Sequence, residues 1–453
     1  MIADKLDKIK FGTDGWRGII GFDFNLSNLS RVVVAACQEL HYQYYKEVNS
    51  KKIIIGYDRR FMACEFAKQI VPFVRGCGFE PILSDSFVTT PSCSFYAKEV
   101  GCLGALVITA SHNPLEYNGL KFLQSDGTFL SPDQCKILFE SVDNNLTLND
   151  SERAASVSNY TSANQEHISK VFDAKSINVK NIRSKKFKVV IDAVNGGASS
   201  ILPQLCNDLG CDIEMINCAG DGNFTRVAEP LAENLKDLEK KVVEVGADIG
   251  FATDPDGDRL SIVSNTGKAI GEEYTLVLAF KNFISYKESK IVTNLSTSRM
   301  IDDISSGSIR TKIGEAHVVG KMKELDIGIG GEGNGGVILR EAHLGRDSLV
   351  AISMILNLLS NDGRPINEIV AEIPQYIFVK DKIKIDDSIN FDNLATVFDC
   401  DEINQEDGIK FSWPKKWIHI RKSNTEPIIR IFAEAETSRE ANDLIQTLKD
   451  YLK

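Results

Sequence analysis

Three carboxylates stand on alternate residues in Thr253-Asp254-Pro255-Asp256-Gly257-Asp258-Arg259, a loop that follows the apolar run Ile249-Gly250-Phe251-Ala252. Oxygens spaced this way can converge on one hard cation such as Mg²⁺, and three like charges at a strand end are costly without a counter-ion. An EF-hand loop also opens on alternate acids, but it needs Gly sixth and Glu twelfth, where this chain has Arg259 and Asn265. Asp254, Asp256 and Asp258 therefore read as ligands of a single ion, with Arg259 beside them to meet a phosphate held there. A second centre is Thr109-Ala110-Ser111-His112-Asn113-Pro114, after the apolar run Gly104–Ile108. A hydroxyl there lies at the carboxyl end of a strand, where open α/β sheets collect their ligands. Ser111 is either a nucleophile or a turn former, because Ser and Asn also bond their own backbone in turns. Lys121 follows closely enough for one loop to return its ammonium to that hydroxyl.

Three more stretches offer polar groups to a ligand. Phe11-Gly12-Thr13-Asp14-Gly15-Trp16-Arg17-Gly18 combines glycines, which allow close backbone approach, with Arg17, whose planar fork suits phosphate. Gly331 to Gly336 matches G-x-G-x-x-G in form, but Val337-Ile338-Leu339 continues as a strand and no acid follows at the distance a ribose would need. Glu332 and Asn334 on that stretch suit a polyhydroxyl ligand instead, since carboxylate and amide can accept from and donate to adjacent hydroxyls. In Arg421-Lys422-Ser423-Asn424-Thr425-Glu426-Pro427, a guanidinium and the short donors of Ser423, Asn424 and Thr425 could surround one phosphate dianion. His317, His343 and the remaining histidines show no metal-ligand spacing and read as satisfied or exposed imidazoles.

The elements that must carry these loops follow from periodicity. Lys51–Asp58 is a strand between helical stretches at Ser30–Tyr45 and Ala63–Gly76, a β-α-β arrangement. Ser131-Pro132-Asp133 starts a helix, with Ser as N-cap and Pro in its first turn. Residues 144–163 are polar and rich in Ser and Asn, a linker or exposed connection. A second unit opens on Phe187–Asp192 and a third has strands near Lys290–Thr293 and Asp326–Ile329. The last unit alternates strand, loop and strand from Trp417 to Ala433. It ends in a capping box, Thr437 with Glu440, and a helical stripe of Ala441, Leu444, Ile445, Leu448 and Leu452.

At 453 residues, 43% hydrophobic and 25% charged, the chain is globular and too long for one core. A formal net charge of −11 opposes nucleic-acid or anionic-membrane binding, so an anionic substrate must be met by local arginines and lysines. The amino-terminal residues lack a signal-peptide core, and the longest apolar tract, Leu349–Leu359, is too short to span a bilayer. Ten scattered cysteines without C-x-x-C fit reduced thiols. A cytoplasmic protein is expected, with neither nucleic acid nor membrane as partner.

The Ser111, Asp254–Arg259, Gly331–Gly336 and Arg421–Pro427 loops, in this order and at these intervals, resemble the four site loops of the α-D-phosphohexomutase family. Phosphoglucomutase, phosphomannomutase and phosphoglucosamine mutase belong to it, and the likeness runs from the Phe11 stretch to the Arg421 loop. It implies an α/β fold of three related α/β domains plus a C-terminal α+β domain around a central cleft. The expected spans are 1–155, 156–268, 269–374 and 375–453.

By the same resemblance Ser111 works as a phosphoserine that makes and uses a bisphosphosugar. Ser111, Asp254, Asp256 and Asp258 bind one Mg²⁺; Lys121, Arg17, His112 and Arg259 surround the transferring group. Glu332 and Asn334 read the sugar, and Arg421, Ser423, Asn424 and Thr425 grip the other phosphate. A hexose 1,6-bisphosphate is the implied activator, a sugar phosphate the partner, and a monomer or homodimer the assembly. Departures bear on the sugar. Many members carry Ser at the place of Asn334, and the bacterial glucosamine branch usually has Gly at the place of Asn424. Glu426-Pro427 with Arg430, and Phe224-Thr225-Arg226-Val227-Ala228-Glu229-Pro230, resemble that branch and favour glucosamine phosphate over glucose or mannose phosphate. The rival readings are a metal-dependent phosphatase with an aspartate nucleophile in Asp254-Pro255-Asp256, which leaves Ser111 idle, and a non-catalytic sugar-phosphate sensor.

Overall fold

The computed structural model describes residues 9, 11–12, 15–142, 158–160, 163–287, 290–305, 307–384, 394–422 and 428–452. Alternating strands and helices build parallel pairing, because parallel neighbours need a crossover that a helix supplies. In the first domain β1 (Phe11–Gly12), β2 (Gly15–Ile19), α1 (Leu26–Val48), β3 (Lys52–Tyr57), α2 (Ala63–Gly76), β4 (Glu80–Ser84) and α3 (Thr90–Glu99) lead to β5 (Gly104–Ile108). Then β6 (Tyr117–Leu123), α4 (Pro132–Ser141) and β7 (Ser158–Tyr160) complete a sheet of order β1-β2-β6-β5-β3-β4-β7. Ile53, Ile54 and Ile55 of β3 are all fully buried, as a strand covered on both faces requires. Ser131 caps α4, with Pro132 in the first turn and Gln134 closing a capping box, as the sequence predicts.

The second domain runs α5 (Ala163–Phe172), α6 (Val179–Lys185), β8 (Lys188–Asp192), α7 (Ile201–Asp208), β9 (Asp212–Ile216), α8 (Lys236–Val245), β10 (Ile249–Thr253), β11 (Leu260–Ser264). The third runs α9 (Glu273–Tyr286), β12 (Ile291–Asn294), α10 (Met300–Ile304), β13 (Ser308–Thr311), α11 (Glu315–Glu324), β14 (Ile329–Glu332), β15 (Gly336–Leu339), α12 (Ser348–Asp362), α13 (Ile366–Ala371). Their sheets, β11-β10-β8-β9 and β13-β12-β14-β15, repeat the β6-β5-β3-β4 part of the first. In each, the first strand pairs in parallel with the second and third, and the third turns back into an antiparallel fourth. The fourth domain is an antiparallel sheet, β16-β20-β19-β18-β17, of β16 (Ile377–Lys384), β17 (Glu402–Asn404), β18 (Ile409–Trp413), β19 (Lys416–Lys422) and β20 (Ile428–Ala435). It is backed by α14 (Ser438–Leu452), whose buried face is the predicted stripe. Three related α/β domains and a C-terminal α+β domain are thus the fold.

Domains two and three share one apolar core reaching from Ile168 to Ile373, whereas the first and fourth domains have separate principal cores. Some local readings need correction. Residues 158–160, expected in a connection, pair as β7 with the exposed edge at β4, because an edge strand offers unpaired backbone groups to any extended segment. The Gly331–Gly336 stretch, expected as a loop, is mostly hairpin, with Glu332 paired to Gly336 and only residues 333–335 turning. Arg17, Arg421 and Lys422 lie in strands rather than loops. Ser423, Asn424 and Thr425, with most of the 144–163 connection, lie outside the described residues. Among the described residues no helix is long and apolar enough to cross a membrane.

Leu448 is fully buried on α14. Leu448→Ala is expected to destabilise the last domain by about 2–5 kcal/mol, read as a lower urea midpoint in the fluorescence of Trp413 and Trp417.

Candidate active site

The three repeats present their loops from one topological position, the turn between the third strand and its antiparallel return. These are 109–116 between β5 and β6, 254–259 between β10 and β11, and 333–335 between β14 and β15. Each first strand ends in the same device. Asp58 Oδ1 accepts the Arg60 N–H, Asp192 Oδ1 the Val194 N–H and Asn294 Oδ1 the Ser296 N–H, each at 2.9 Å. Such Asx turns use a short side chain to mimic a backbone turn. The second oxygen or the amide is left facing the neighbouring loop: Asp58 Oδ2 takes the Thr109 hydroxyl at 2.6 Å, and Asn294 Nδ2 donates to Glu332 Oε1 at 2.8 Å.

Ser111 sits at φ 48, a left-handed conformation that is uncommon for a residue with a Cβ. It is held there by neighbours. Thr109 Oγ1 accepts the Ser111 N–H at 2.9 Å, and the buried Arg60 donates to the carbonyls of Ser111, Asn113 and Pro114, and to that of Tyr117 at 3.3 Å. Arg60 also pairs with Asp58, whose carboxyl burial pushes up to about 6 against the pull of that guanidinium. The Ser111 hydroxyl donates to Asp254 Oδ2 at 3.0 Å and lies 3.4 Å from His112 Nδ1. Burial, then Arg259 and Arg17, hold the His112 pKa well below the ordinary imidazole value, so its ring is neutral near pH 7. Arg17 is fixed by Asn113 Oδ1 at 2.8 Å.

Asp254, Asp256 and Asp258 are all buried, and one oxygen from each lies within 4.8 Å of the others. Gly257, at φ +72, turns the loop tightly, and a Cβ there would stand 2.8 Å from Thr89 Cγ2. Crowded carboxylates cannot all ionise freely. Burial, then Asp258 and Asp256, push Asp254 well above the ordinary range. Burial opposes charge at Asp256 and Asp258 too, yet cations hold both below it: Lys121 for Asp256, Arg346 and then Lys121 for Asp258. Lys121 Nζ reaches Asp256 Oδ2 at 2.6 Å and Asp258 Oδ2 at 3.0 Å, and Arg346 Nη2 reaches Asp258 Oδ2 at 2.9 Å. Asp256 Oδ1 and Asp258 Oδ1 are buried and accept no hydrogen bond from the described residues. Two orphaned oxygens beside a third carboxylate and a serine hydroxyl are a donor set for a hard divalent cation. Arg259 donates from its backbone to Asp254 and from Nη1 to Glu229 Oε1 at 2.9 Å.

Glu332 is buried rather than open to a ligand. It accepts from Asn294, from the Gly314 N–H at 3.0 Å and from Arg346 Nη1 at 2.8 Å. Asn334 lies alongside, 3.4 Å from Glu332 Oε2. Arg421 Nη2 pairs with Asp407 Oδ1 at 3.3 Å, and Asp407 Oδ2 accepts the Ile313 N–H. The structure thus brings Ser111, Lys121, Arg17, His112, Arg259 and the three aspartates together and links Glu332 to them through Arg346. It joins Arg421 through Asp407 and the 313–314 backbone.

Arg60, Arg346, Thr90 and Glu229 escaped the sequence reading, Thr90 donating to Asp256 Oδ2 at 2.6 Å. Glu229 had a signal in its segment, but the arginines look like any others in sequence. Arg60→Met is expected to cost about 3–5 kcal/mol, because it leaves Asp58 buried and unpaired. Thermal unfolding would show this, and the released Ser111 loop should gain protease sensitivity that Arg60→Lys partly restores.

Sequence profiles of the phosphoglucomutase/phosphomannomutase family match the chain in four consecutive pieces: α/β/α domain I over residues 8–148, domain II over 165–267, domain III over 271–376 and the C-terminal domain over 377–450. A Methanopyrus kandleri protein named "Probable phosphoglucosamine mutase" is 30% identical over 454 residues, covering 98% of this chain and 97% of its own. A phosphoglucomutase/phosphomannomutase of Thermococcus kodakarensis is 30% identical over 87% of this chain and 88% of its own. A Burkholderia thailandensis protein of the phosphoglucomutase/phosphomannomutase family shares the fold, with a TM-score of 0.83 at 24% identity over 98% of this chain and 96% of that one. With all four domains matched in order and full-length relatives at this identity, the chain belongs to the phosphoglucomutase/phosphomannomutase family, the α-D-phosphohexomutases.

Proposed function

We propose that the protein interconverts the 6-phosphate and 1-phosphate of a hexose, glucosamine phosphate being preferred, by passing a phosphoryl group through Ser111. The observation that carries this is the Ser111 hydroxyl, held in a left-handed turn 3.0 Å from an aspartate of the acidic loop. In this reading phosphorylated Ser111 gives its phosphoryl group to a sugar monophosphate: the serine O–P bond breaks as a sugar O–P bond forms. The bisphosphosugar then turns over and returns its other phosphate to Ser111.

Asp254, Asp256 and Asp258 would hold Mg²⁺, which when bound neutralises charge on the transferring group. Arg17 and Arg259 add fixed positive charge around it. Lys121 and His112 are the two groups able to take the hydroxyl proton, and His112 starts neutral. Glu332 and Asn334 would read the sugar hydroxyls, with Glu332 released in part from Arg346 as substrate enters. Arg421, with Ser423, Asn424 and Thr425, would grip the phosphate that is not being transferred, so that its binding energy positions the reacting one. The glucosamine preference is supported by the names of full-length relatives and by the 224–230 segment, whose Glu229 pairs with Arg259. We place the domain limits at 1–155, 156–268, 269–374 and 375–453, with residues 158–160 of the second span completing the first domain's sheet as β7, and take a hexose 1,6-bisphosphate as activator and a cytoplasmic monomer or homodimer as the working form.

A phosphorus NMR time course with Mg²⁺, a trace of hexose 1,6-bisphosphate and glucosamine 6-phosphate should show the 1-phosphate growing in. Ser111→Ala should lower the rate by on the order of 10⁴-fold or more, and chelating the Mg²⁺ should stop it. Accumulation of inorganic phosphate alone, or a rate unchanged in Ser111→Ala, would favour the aspartyl phosphatase reading. Arg421→Ala should lower kcat/KM by an amount equivalent to about 1.5–3 kcal/mol in the activation barrier, the contribution of hydrogen bonds to a charged group, and steady-state kinetics would measure it.

A further inference from the structure

Outside the active site, two histidines and an aspartate that are distant in sequence converge where three domains meet. His167 lies on α5 of the second domain; His343 and Asp347 precede α12 of the third; Ser92 and Ser94 face them from α3 of the first. His167 and Asp347 are fully buried and His343 is 2% exposed. Asp347 Oδ1 caps α12 by accepting the Leu349 N–H at 2.8 Å. Its Oδ2 lies 2.8 Å from His167 Nε2 and 3.0 Å from His343 Nε2. No Lys or Arg of the described residues pairs with this carboxylate.

Proton positions follow from the hydroxyls behind the rings. Ser94 Oγ donates its only proton to the Gly127 carbonyl at 2.6 Å, so toward His343 Nδ1, 3.3 Å away, it can only accept. Nδ1 therefore carries the ring proton. A neutral His343 then turns the lone pair of Nε2 onto a carboxylate oxygen, two acceptors face to face in a dry interior. Ser92 Oγ stands 3.1 Å from His167 Nδ1 and 2.8 Å from Thr89 Oγ1, and it acts in the same way when its proton goes to Thr89. A proton shared between His343 Nε2 and Asp347 Oδ2, or a metal ion among the three donors, relieves this contact.

We propose that His167 Nε2, His343 Nε2 and Asp347 Oδ2 bind one divalent cation of the zinc class, in a structural site separate from the acidic loop. Two imidazoles and one carboxylate are a donor set that suits Zn²⁺, and the hard all-oxygen set of the aspartate loop suits Mg²⁺. The hydroxyls behind the rings do what outer partners do at metal centres, fixing the tautomer by accepting the far N–H. With ligand bonds of about 2.0–2.2 Å, tetrahedral donors stand roughly 3.3 Å apart. The observed spacings of 2.8 and 3.0 Å thus open by a few tenths of an ångström on binding. The ion ties the second domain to the third, with Ser92 and Ser94 of the first domain behind the rings, one residue from Ser348, whose hydroxyl donates to the Gly257 carbonyl of the acidic loop at 2.8 Å.

The full-length protein, stripped with a chelator and dialysed against Zn²⁺ in excess Mg²⁺, is expected to retain one zinc per chain by elemental analysis. Co²⁺ in its place should give visible absorption bands. His343→Gln and His167→Gln should abolish retention, and Asp256→Asn should keep it. Ser94→Ala, which leaves all three ligands, should weaken zinc binding by about 10–100-fold and serves if the histidine variants fail to fold. Sub-stoichiometric zinc, retention lost in Asp256→Asn but kept in His343→Gln, or nitrogen NMR showing both His343 ring nitrogens protonated in the presence of Zn²⁺ would each overturn the site.

Discussion

Gathering three buried carboxylates on one short loop is the constraint around which the molecule is arranged. Like charges in a dry interior repel, and the chain answers with cations drawn from other domains: Lys121 from the first and Arg346 from the third. Arg346 also reaches Glu315 and Glu332 at 2.8 Å, so the acidic loop and the β14–β15 hairpin are charge-coupled through one guanidinium. Glu332 passes the connection to the 313–314 backbone, which Asp407 and then Arg421 continue into the last domain. A divalent ion in the acidic loop would share two carboxylates with Lys121, which holds Asp256 Oδ2 and Asp258 Oδ2 and leaves both Oδ1 atoms open.

Repetition accounts for how such loops meet at all. A β-α-β-α-β unit closed by an antiparallel strand offers its third turn at the carboxyl end of the sheet, and three copies offer three such turns. The Asx turns at Asp58, Asp192 and Asn294 put a polar side chain beside each of them. What each copy does with it differs. Asp58 and Arg60 brace a strained serine, Asp192 accepts from Arg226 at 2.9 Å while that arginine also holds the Thr253 carbonyl, and Asn294 anchors Glu332.

Packing between domains is uneven. The second and third share a continuous apolar core, while the described contacts of the third with the fourth are largely polar. Ser296 meets His419 at 2.7 Å, Lys410 donates to the Leu295 carbonyl at 2.6 Å, and the Arg299 N–H and Trp417 Nε1 share Glu434. Polar interfaces of this kind permit relative movement more readily than apolar ones.

The sequence by itself determined what depends on near neighbours. Apolar runs marked the strands, Ser131 with Pro132 marked a helix start, and alternate aspartates between Pro and Gly marked the acidic loop. The α14 stripe marked a buried face, because capping, turn chemistry and periodicity act over a few residues. The likeness of four loops to one family supplied their order around the cleft. Only the tertiary structure decided which cation meets which anion. Arg60 reaches Ser111 and Asn113 from 51 and 53 residues away, Arg346 reaches Asp258 across 88, and His167 meets Asp347 across 180. No local pattern distinguishes these residues from solvated ones. Their partners are chosen by the packing of whole domains, and at a buried site an unpaired charge or lone pair is too costly to leave.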